Sequence, residues 1–228
     1  MVSLLGCGSR PPNAASVLLF NGKGTSPNDV LAVEAVLARG KIDYVTADSA
    51  QMNAATQAQL RRYRLLIVPG GNFNQMGEGL SVEAASNVRA AVTGGLNYLG
   101  ICAGAFLAGN SGPNPFRLLP GVRFGFYSVE NQGVRKAPVW IDGADGSHLE
   151  QYWEDGPQLT GWGAVVGKYP DGTPAVVQGE VGRGWIVLSG IHPEAPATWR
   201  GGMKAEEDNR YAETLVRAAL TRQALPHY

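Results

Sequence analysis

Between Ser16 and Ala108, short apolar runs alternate with segments whose apolar residues recur at helical spacing. Ser16–Asn21 (SVLLFN) is such a run; it ends at Gly22 and predicts a first buried strand. A helix follows: Ser26 can cap it, Pro27 suits its first turn, and Asp29 completes a capping-box-like pattern. Val30, Val33, Ala35, Val36 and Leu37 form its apolar stripe, and Gly40 is its stop. Ile42–Thr46 (IDYVT) predicts a second strand and Asn53–Tyr63 a polar second helix. Leu65–Val68 (LLIV) is a third strand, broken by Pro69-Gly70-Gly71. Ser81 opens a further helix that carries Glu83, Val88, Ala91 and Val92 and ends at Gly94-Gly95. Leu96–Ile101 (LNYLGI) is a fourth strand running straight into Cys102, and Ala103–Ala108 begins another helix.

From about Asn110 to Gly182 helical periodicity vanishes, and turn pairs such as Asp142-Gly143, Asp145-Gly146, Asp155-Gly156 and Asp171-Gly172 recur. Strand-like pieces at Phe124–Glu130, Val139–Ile141, Gly163–Tyr169 and Ala175–Gln178 predict mostly antiparallel structure at one sheet edge, with loops over the site. Trp185–Leu188 (WIVL) returns as a core strand, and a last helix covers Lys204–Ala219, with Tyr211, Leu215, Val216 and Ala219 on its apolar side. The alternation predicts an α/β fold, a doubly wound and mostly parallel sheet with an antiparallel edge extension. Ligands in such sheets bind beyond the carboxyl ends of the strands. Both Pro69-Gly70-Gly71 and Cys102 fall at such ends.

Composition narrows the function classes. Nineteen basic residues balance nineteen acidic ones, so no global field favours nucleic acid or an anionic membrane. With only 17% charged residues and 31 glycines, the chain reads as compact and rich in tight turns. We expect residues 16–228 to form a single domain and residues 1–15 a flexible N-terminal tail. No stretch approaches the ~18 apolar residues of a membrane span. Leu4-Leu5-Gly6-Cys7 resembles a bacterial lipobox, but only Met1-Val2-Ser3 precede it, too few for a signal segment. The sequence as written therefore predicts a cytoplasmic protein. The alternative is a periplasmic lipoprotein anchored at Cys7, the tail being the stub of a longer signal.

Gly100-Ile101-Cys102-Ala103-Gly104 is the cysteine version of a nucleophile elbow, a sharp turn between strand and helix. The helix N-terminus after Cys102 favours its thiolate and leaves the Ala103 amide free to donate to an oxyanion. The competing reading is a buried structural thiol. His192-Pro193-Glu194 offers a base and an orienting acid: Pro193 biases His192 toward extended backbone, where residues two apart share a side. Taken alone, His192 could instead bond a loop carbonyl and Glu194 cap a turn. Gly71, after the third strand, can supply a second oxyanion donor, or Pro69-Gly70-Gly71-Asn72 can be an ordinary turn. His148 reads as a surface or loop residue and His227 as frayed, so no zinc-ligand spacing exists and no metal is expected. The tryptophans of the 140–199 segment read as core or loop anchors.

Together VPGG, GICAG and HPE resemble the class I glutamine amidotransferase superfamily, in order and spacing from about residue 17 to 219. YLGICAGAFLAG, QYWEDGP and SGIHPE look most like proteins related to the N-terminal domain of biotin-protein ligases. The resemblance implies a flavodoxin-like fold and a Cys102–His192–Glu194 triad, with the Gly71 and Ala103 amides as oxyanion hole. It places Gly70, Asn72 and Phe106 at the substrate. The superfamily's glutaminases usually carry His-Gln after the elbow glycine; Ala105-Phe106 stand there, which argues against glutamine. Nothing in the pattern supports biotin transfer. The expected function is a cysteine amidohydrolase acting through a thioester acyl-enzyme on a small-molecule or peptide amide, without cofactor. The alternatives are a non-catalytic ligand- or partner-binding protein that retains the pocket, and a glutaminase subunit with a separate synthetase partner.

Overall fold

The computed structural model describes residues 15–203 and 205–228; the expected tail, with Cys7, lies outside them apart from Ala15. In chain order the first part comprises β1 (Val17–Phe20), α1 (Pro27–Arg39), β2 (Tyr44–Ala47), α2 (Ser49–Ala54), α3 (Gln57–Leu60), β3 (Leu65–Val68), α4 (Phe73–Gly79), α5 (Val82–Thr93), β4 (Asn97–Ile101) and α6 (Ala103–Ala108). The second comprises β5 (Gly125–Phe126), β6 (Lys136–Gly143), β7 (His148–Glu154), β8 (Pro157–Gln158), β9 (Ala164–Lys168), β10 (Pro174–Val181), β11 (Gly184–Ser189) and α7 (Ala205–Thr221). Nine strands form one sheet in the order β2-β1-β3-β4-β11-β10-β9-β6-β7. The neighbours from β2 to β11 pair in parallel, and those from β11 through β10, β9 and β6 to β7 pair antiparallel. The predicted α/β fold with a parallel core and an antiparallel extension is what the chain adopts.

The central parallel strands β1, β3 and β4 are buried at every position and largely apolar because both faces are covered, whereas the edge strand β2 is mostly exposed. Val17 and Leu19 pack with Val33, Val36 and Leu37 of α1 and Leu215, Val216 and Ala219 of α7. Leu18 and Phe20 face the other way, toward Val88, Ala91 and Val92 of α5 and the whole apolar side of α6. Helix starts follow local capping. Ser26 accepts from the Asp29 amide at 3.3 Å, and Ser81 from the Ala84 amide at 3.0 Å.

Several expectations need correction. The single helix over Asn53–Tyr63 is two short ones, α2 and α3, separated by an extended Ala55. Each has its own reciprocal capping box, Asp48 with Gln51 and Thr56 with Gln59. α4 was not expected; Asn72 starts it by accepting from the Gln75 amide at 3.0 Å. The strand-like Phe124–Glu130 is instead the two-residue β5 followed by a 3-10 turn over Ser128–Gln132, which ends on the left-handed Gly133. His148 is at the surface, one of the two expected placements, but on a strand rather than in a loop. It opens β7, whose His148–Glu154 register against β6 the turn-rich composition concealed. Among the described residues no helix is long and apolar enough to cross a membrane.

Candidate active site

β4 ends at Ile101, and the chain turns on Cys102 into α6 with φ 48° and ψ −104°. The turn is clamped by the Cys102 amide on Ser189 of β11 at 2.8 Å, and by Ala105 and Phe106 amides on the Cys102 carbonyl at 3.0 and 3.1 Å. The flanking glycines are sterically required. A Cβ on Gly100 would lie 2.7 Å from the Gly104 carbonyl, and one on Gly104 would lie 2.0 Å from the Val68 carbonyl oxygen. The Tyr98 hydroxyl donates to that Gly104 carbonyl at 2.7 Å, buttressing the elbow from below. Cys102 itself is buried, with Sγ 3.5 Å from the Glu154 carbonyl of β7.

His192 follows β11 and is pinned to the antiparallel extension by its amide on the Tyr152 carbonyl at 2.8 Å. His-Pro-Glu is not extended, as had been expected, but a turn closed by the Ala195 amide on the His192 carbonyl at 3.1 Å. The turn still brings the two side chains together: His192 Nδ1 lies 3.0 Å from Glu194 Oε1 in hydrogen-bonding geometry. The same nitrogen lies 2.9 Å from Asp29 Oδ1. One N–H can align with only one acceptor, so the Asp29 contact is an ion-pair contact rather than a second aligned bond. Nε2 of His192 is buried and has no hydrogen-bond partner.

Asp29 was missed as a site residue. The spacing Ser26–Asp29 marks it as half of a capping box, but its carboxylate also reaches the imidazole, 2.9 Å from His192 Nδ1. Charge sets the directions of titration in this cluster. Burial opposes charging His192, yet Cys102, Glu194 and Asp29 together hold it well above the ordinary histidine value. Burial would raise Asp29, but the close contact and charge of His192, with help from Ser26, bring it below the usual carboxylate value. Burial wins at Glu194 and raises it, opposed by His192. Asp29, His192 and Glu194 are also the one group among the described residues whose potential metal-ligand atoms all lie within 4.8 Å of one another. Those same atoms hold the imidazole in place.

Gly71, Cys102 and His192 open on one cleft of about 480 Å³, walled by Tyr152, Glu154 and Trp199. Gly71 pairs with Thr25 in an isolated bridge whose two bonds, Ser26 N to Gly70 O at 3.1 Å and Asn72 N to Gly24 O at 2.8 Å, bypass it. Its amide, with φ +139°, and that of Ala103 at the head of α6 therefore carry no hydrogen bond among the described residues. A Cβ on Gly70 would lie 2.2 Å from Asp29 Oδ1 and 2.7 Å from His192 Cε1, so Gly70 backs the cluster rather than lining the cleft. Asn72 spends its side chain capping α4. Phe106 does not reach the cleft: it is buried on the other face of the sheet, stacked on Phe73 at 4.6 Å and edge-on to Phe126 at 5.0 Å. Its side chain lines no part of the site.

The fold is similar to that of a glutamine amidotransferase. A crystal structure of a glutamine amidotransferase superposes with a TM-score of 0.61 over 90% of this chain and 98% of its own, at 19% identity. A β-galactosidase from the psychrophilic Marinomonas ef1 superposes with a TM-score of 0.56 over 95% of this chain and 30% of its own, at 16% identity. At these identities the likeness concerns the fold alone. Within that fold class, residues 15–112 match the family described as biotin-protein ligase, N terminal. The biotin–protein ligase of Schizosaccharomyces pombe is 25% identical over 219 residues, 80% of this chain and 34% of the ligase. The chain thus spans about a third of that relative's length. The family match takes in Cys102 and stops before His192 and Glu194.

Proposed function

We propose that the protein is a cysteine-dependent amidohydrolase whose nucleophile is Cys102. The observation that carries this reading is the unpartnered Nε2 of a buried His192, held at Nδ1 by carboxylates and opening on the same cleft as Cys102. The Cys102 thiolate attacks the carbonyl carbon of an amide, forming an S–C bond and pushing the carbonyl electrons onto oxygen. Gly71 and Ala103 amides, unengaged among the described residues, stabilise that oxygen. Collapse breaks the C–N bond, and the leaving nitrogen takes the proton from His192 Nε2. A water then gives its proton to His192 and its hydroxide to the thioester; the S–C bond breaks and the thiolate–imidazolium pair returns with a free carboxylic acid. Ala105 and Phe106, both buried, offer no side chain for recognising a glutamine amide at the elbow.

The test combines labelling and turnover. Iodoacetamide should alkylate Cys102, located by peptide mass, faster than it alkylates a free thiol near pH 6, and His192→Ala should remove the difference. A panel of amides, γ-glutamyl compounds and peptides should contain a substrate whose turnover falls at least about a thousandfold in Cys102→Ala. Equal labelling of Cys102 and a free thiol, with no effect of His192→Ala, would sink the proposal.

A further inference from the structure

Two carboxylates compete for one imidazole nitrogen, and they do not sit in equivalent surroundings. Asp29 lies in the first turn of the thirteen-residue α1, where the helix dipole favours an anion, and it faces the solvent-filled cleft. Glu194 lies behind His192. It borders a small gap lined otherwise by the apolar side chains of Val33, Leu99, Ile101 and Leu215, and its Oε2 has no hydrogen-bond partner. Two ionised carboxylates within 4.8 Å of each other in such a place repel, and a shared proton relieves them. The environment decides which of the two keeps it.

We propose that Asp29 is the charged positioning residue for His192, and that Glu194 is its neutral partner, a protonated carboxyl that bridges the imidazole and the Asp29 carboxylate. The assignment rests on the reading of His192 as the base at Cys102, and reverses the roles that His-Pro-Glu implies. Glu194 Oε1 accepts from His192 Nδ1 at 3.0 Å while the Glu194 proton points to Asp29. The negative charge that stabilises the imidazolium then resides on Asp29, 2.9 Å from Nδ1. The opposed directions of titration of the two acids agree with this division. The titratable groups facing His192 are Asp29 from α1, Glu194 from its own turn, Cys102 at the end of β4 and Tyr152 from β7. Lys136, Glu154 and Asp155 line the same cleft. Tyr152 is raised above its ordinary value, chiefly by burial, and stays neutral, so it does not contest the charge.

The experiment compares Asp29→Asn with Glu194→Gln in the full chain. The first removes the charge; the second keeps a donor and an acceptor in nearly the same volume. The pH profile of Cys102 alkylation and the imidazole titration of His192 by NMR should both move in Asp29→Asn, the titration falling by about one unit or more and the labelling rate near pH 6 by about tenfold. Glu194→Gln should change that rate by less than about threefold. Rescue of the His192 titration by Asp29→Glu would separate a charge role from a packing role. Infrared difference spectra of the wild type should show the carbonyl stretch of a buried protonated carboxyl near pH 7, absent in Glu194→Gln. That band carries the test even where Asp29→Asn does not fold. A larger loss in Glu194→Gln, equal losses, or no protonated-carboxyl band overturns the assignment. The NMR and infrared readouts do not require a reactive thiol, so failure of the hydrolase reading is recognised separately, by unexceptional labelling of wild-type Cys102.

Discussion

The parallel half of the sheet, β2 to β11, and the antiparallel extension, β10 to β7, divide the labour of the cleft. Cys102, Asp29, Gly71 and His192 all hang from the parallel half or its helices, where strands are buried on both faces and backbones touch. Tyr152 and Glu154 come from β7 in the far hairpin, where β6 alternates buried and exposed positions but Gln151, Tyr152 and Trp153 of β7 are buried in succession. The proposed reacting groups are therefore carried by the closely packed half, and the hairpin that walls the cleft also braces them, through the Tyr152 carbonyl on the His192 amide and the Glu154 carbonyl beside Cys102 Sγ. The family match has the same division: it covers β1 to α6 and ends where the extension has yet to begin.

The contrast breaks most directly at glycine. Gly104→Val forces a side chain into the Val68 carbonyl and should cost several kcal/mol, about 3 or more, in urea unfolding. Gly146→Ala, at φ +83° in the β6–β7 turn with nothing within 4 Å of the added carbon, should cost only about 1 kcal/mol. Comparable losses would contradict the division. A smaller effect is the pH dependence of stability contributed by the parallel half. His192 is raised, so its contribution is complete below the unfolded value near 6.5 and is lost as pH climbs through the folded one. Asp29 is lowered, so its contribution is present above the unfolded value of about 3.8 and is lost as pH falls through the folded one. Thermal melts should thus lose Tm at both ends, and His192→Ala should flatten the alkaline limb. An alkaline limb unchanged in that variant would remove His192 from the account. The smallest effect concerns the hairpin: Tyr152→Phe removes the 2.6 Å hydrogen bond to Glu154 from the cleft wall. For a substrate found in the panel, KM should change by up to about tenfold while kcat stays within about threefold. A fall in kcat alone would move Tyr152 from the wall to the chemistry.

The same division decides what could be read from the chain. Leu65–Val68 was bounded to the residue, because an apolar run stopped by Pro69-Gly70-Gly71 has few competing readings, whereas the helix read as beginning over Ala103–Ala108 stops at Ala108. Val139–Ile141 and Ala175–Gln178 were found but too short, since the flanking polar residues of β6 and β10 face solvent and look like turn. β7 was missed: Gln151 at its centre is fully buried and breaks the expected alternation. At the site, the elbow and His-Pro-Glu were local motifs, and local motifs can be read. Asp29 arrives from a helix more than a hundred residues earlier in the chain, and its local role as a capping partner gave a sufficient explanation for its presence. Phe106 stood beside the elbow in sequence, but the helical turn carries it through the sheet to the opposite core.

Cys102 holds a backbone conformation, φ 48° and ψ −104°, that a residue with a Cβ adopts only under strain, on the order of 1–3 kcal/mol. Glycine would accept that geometry freely. Replacing Cys102 with glycine should therefore raise the melting temperature above that of Cys102→Ala, though both lose the thiol. At this one position the most stable chain and the chain with the proposed nucleophile are different chains, and a search for stabilising substitutions guided by folding alone would replace the thiol.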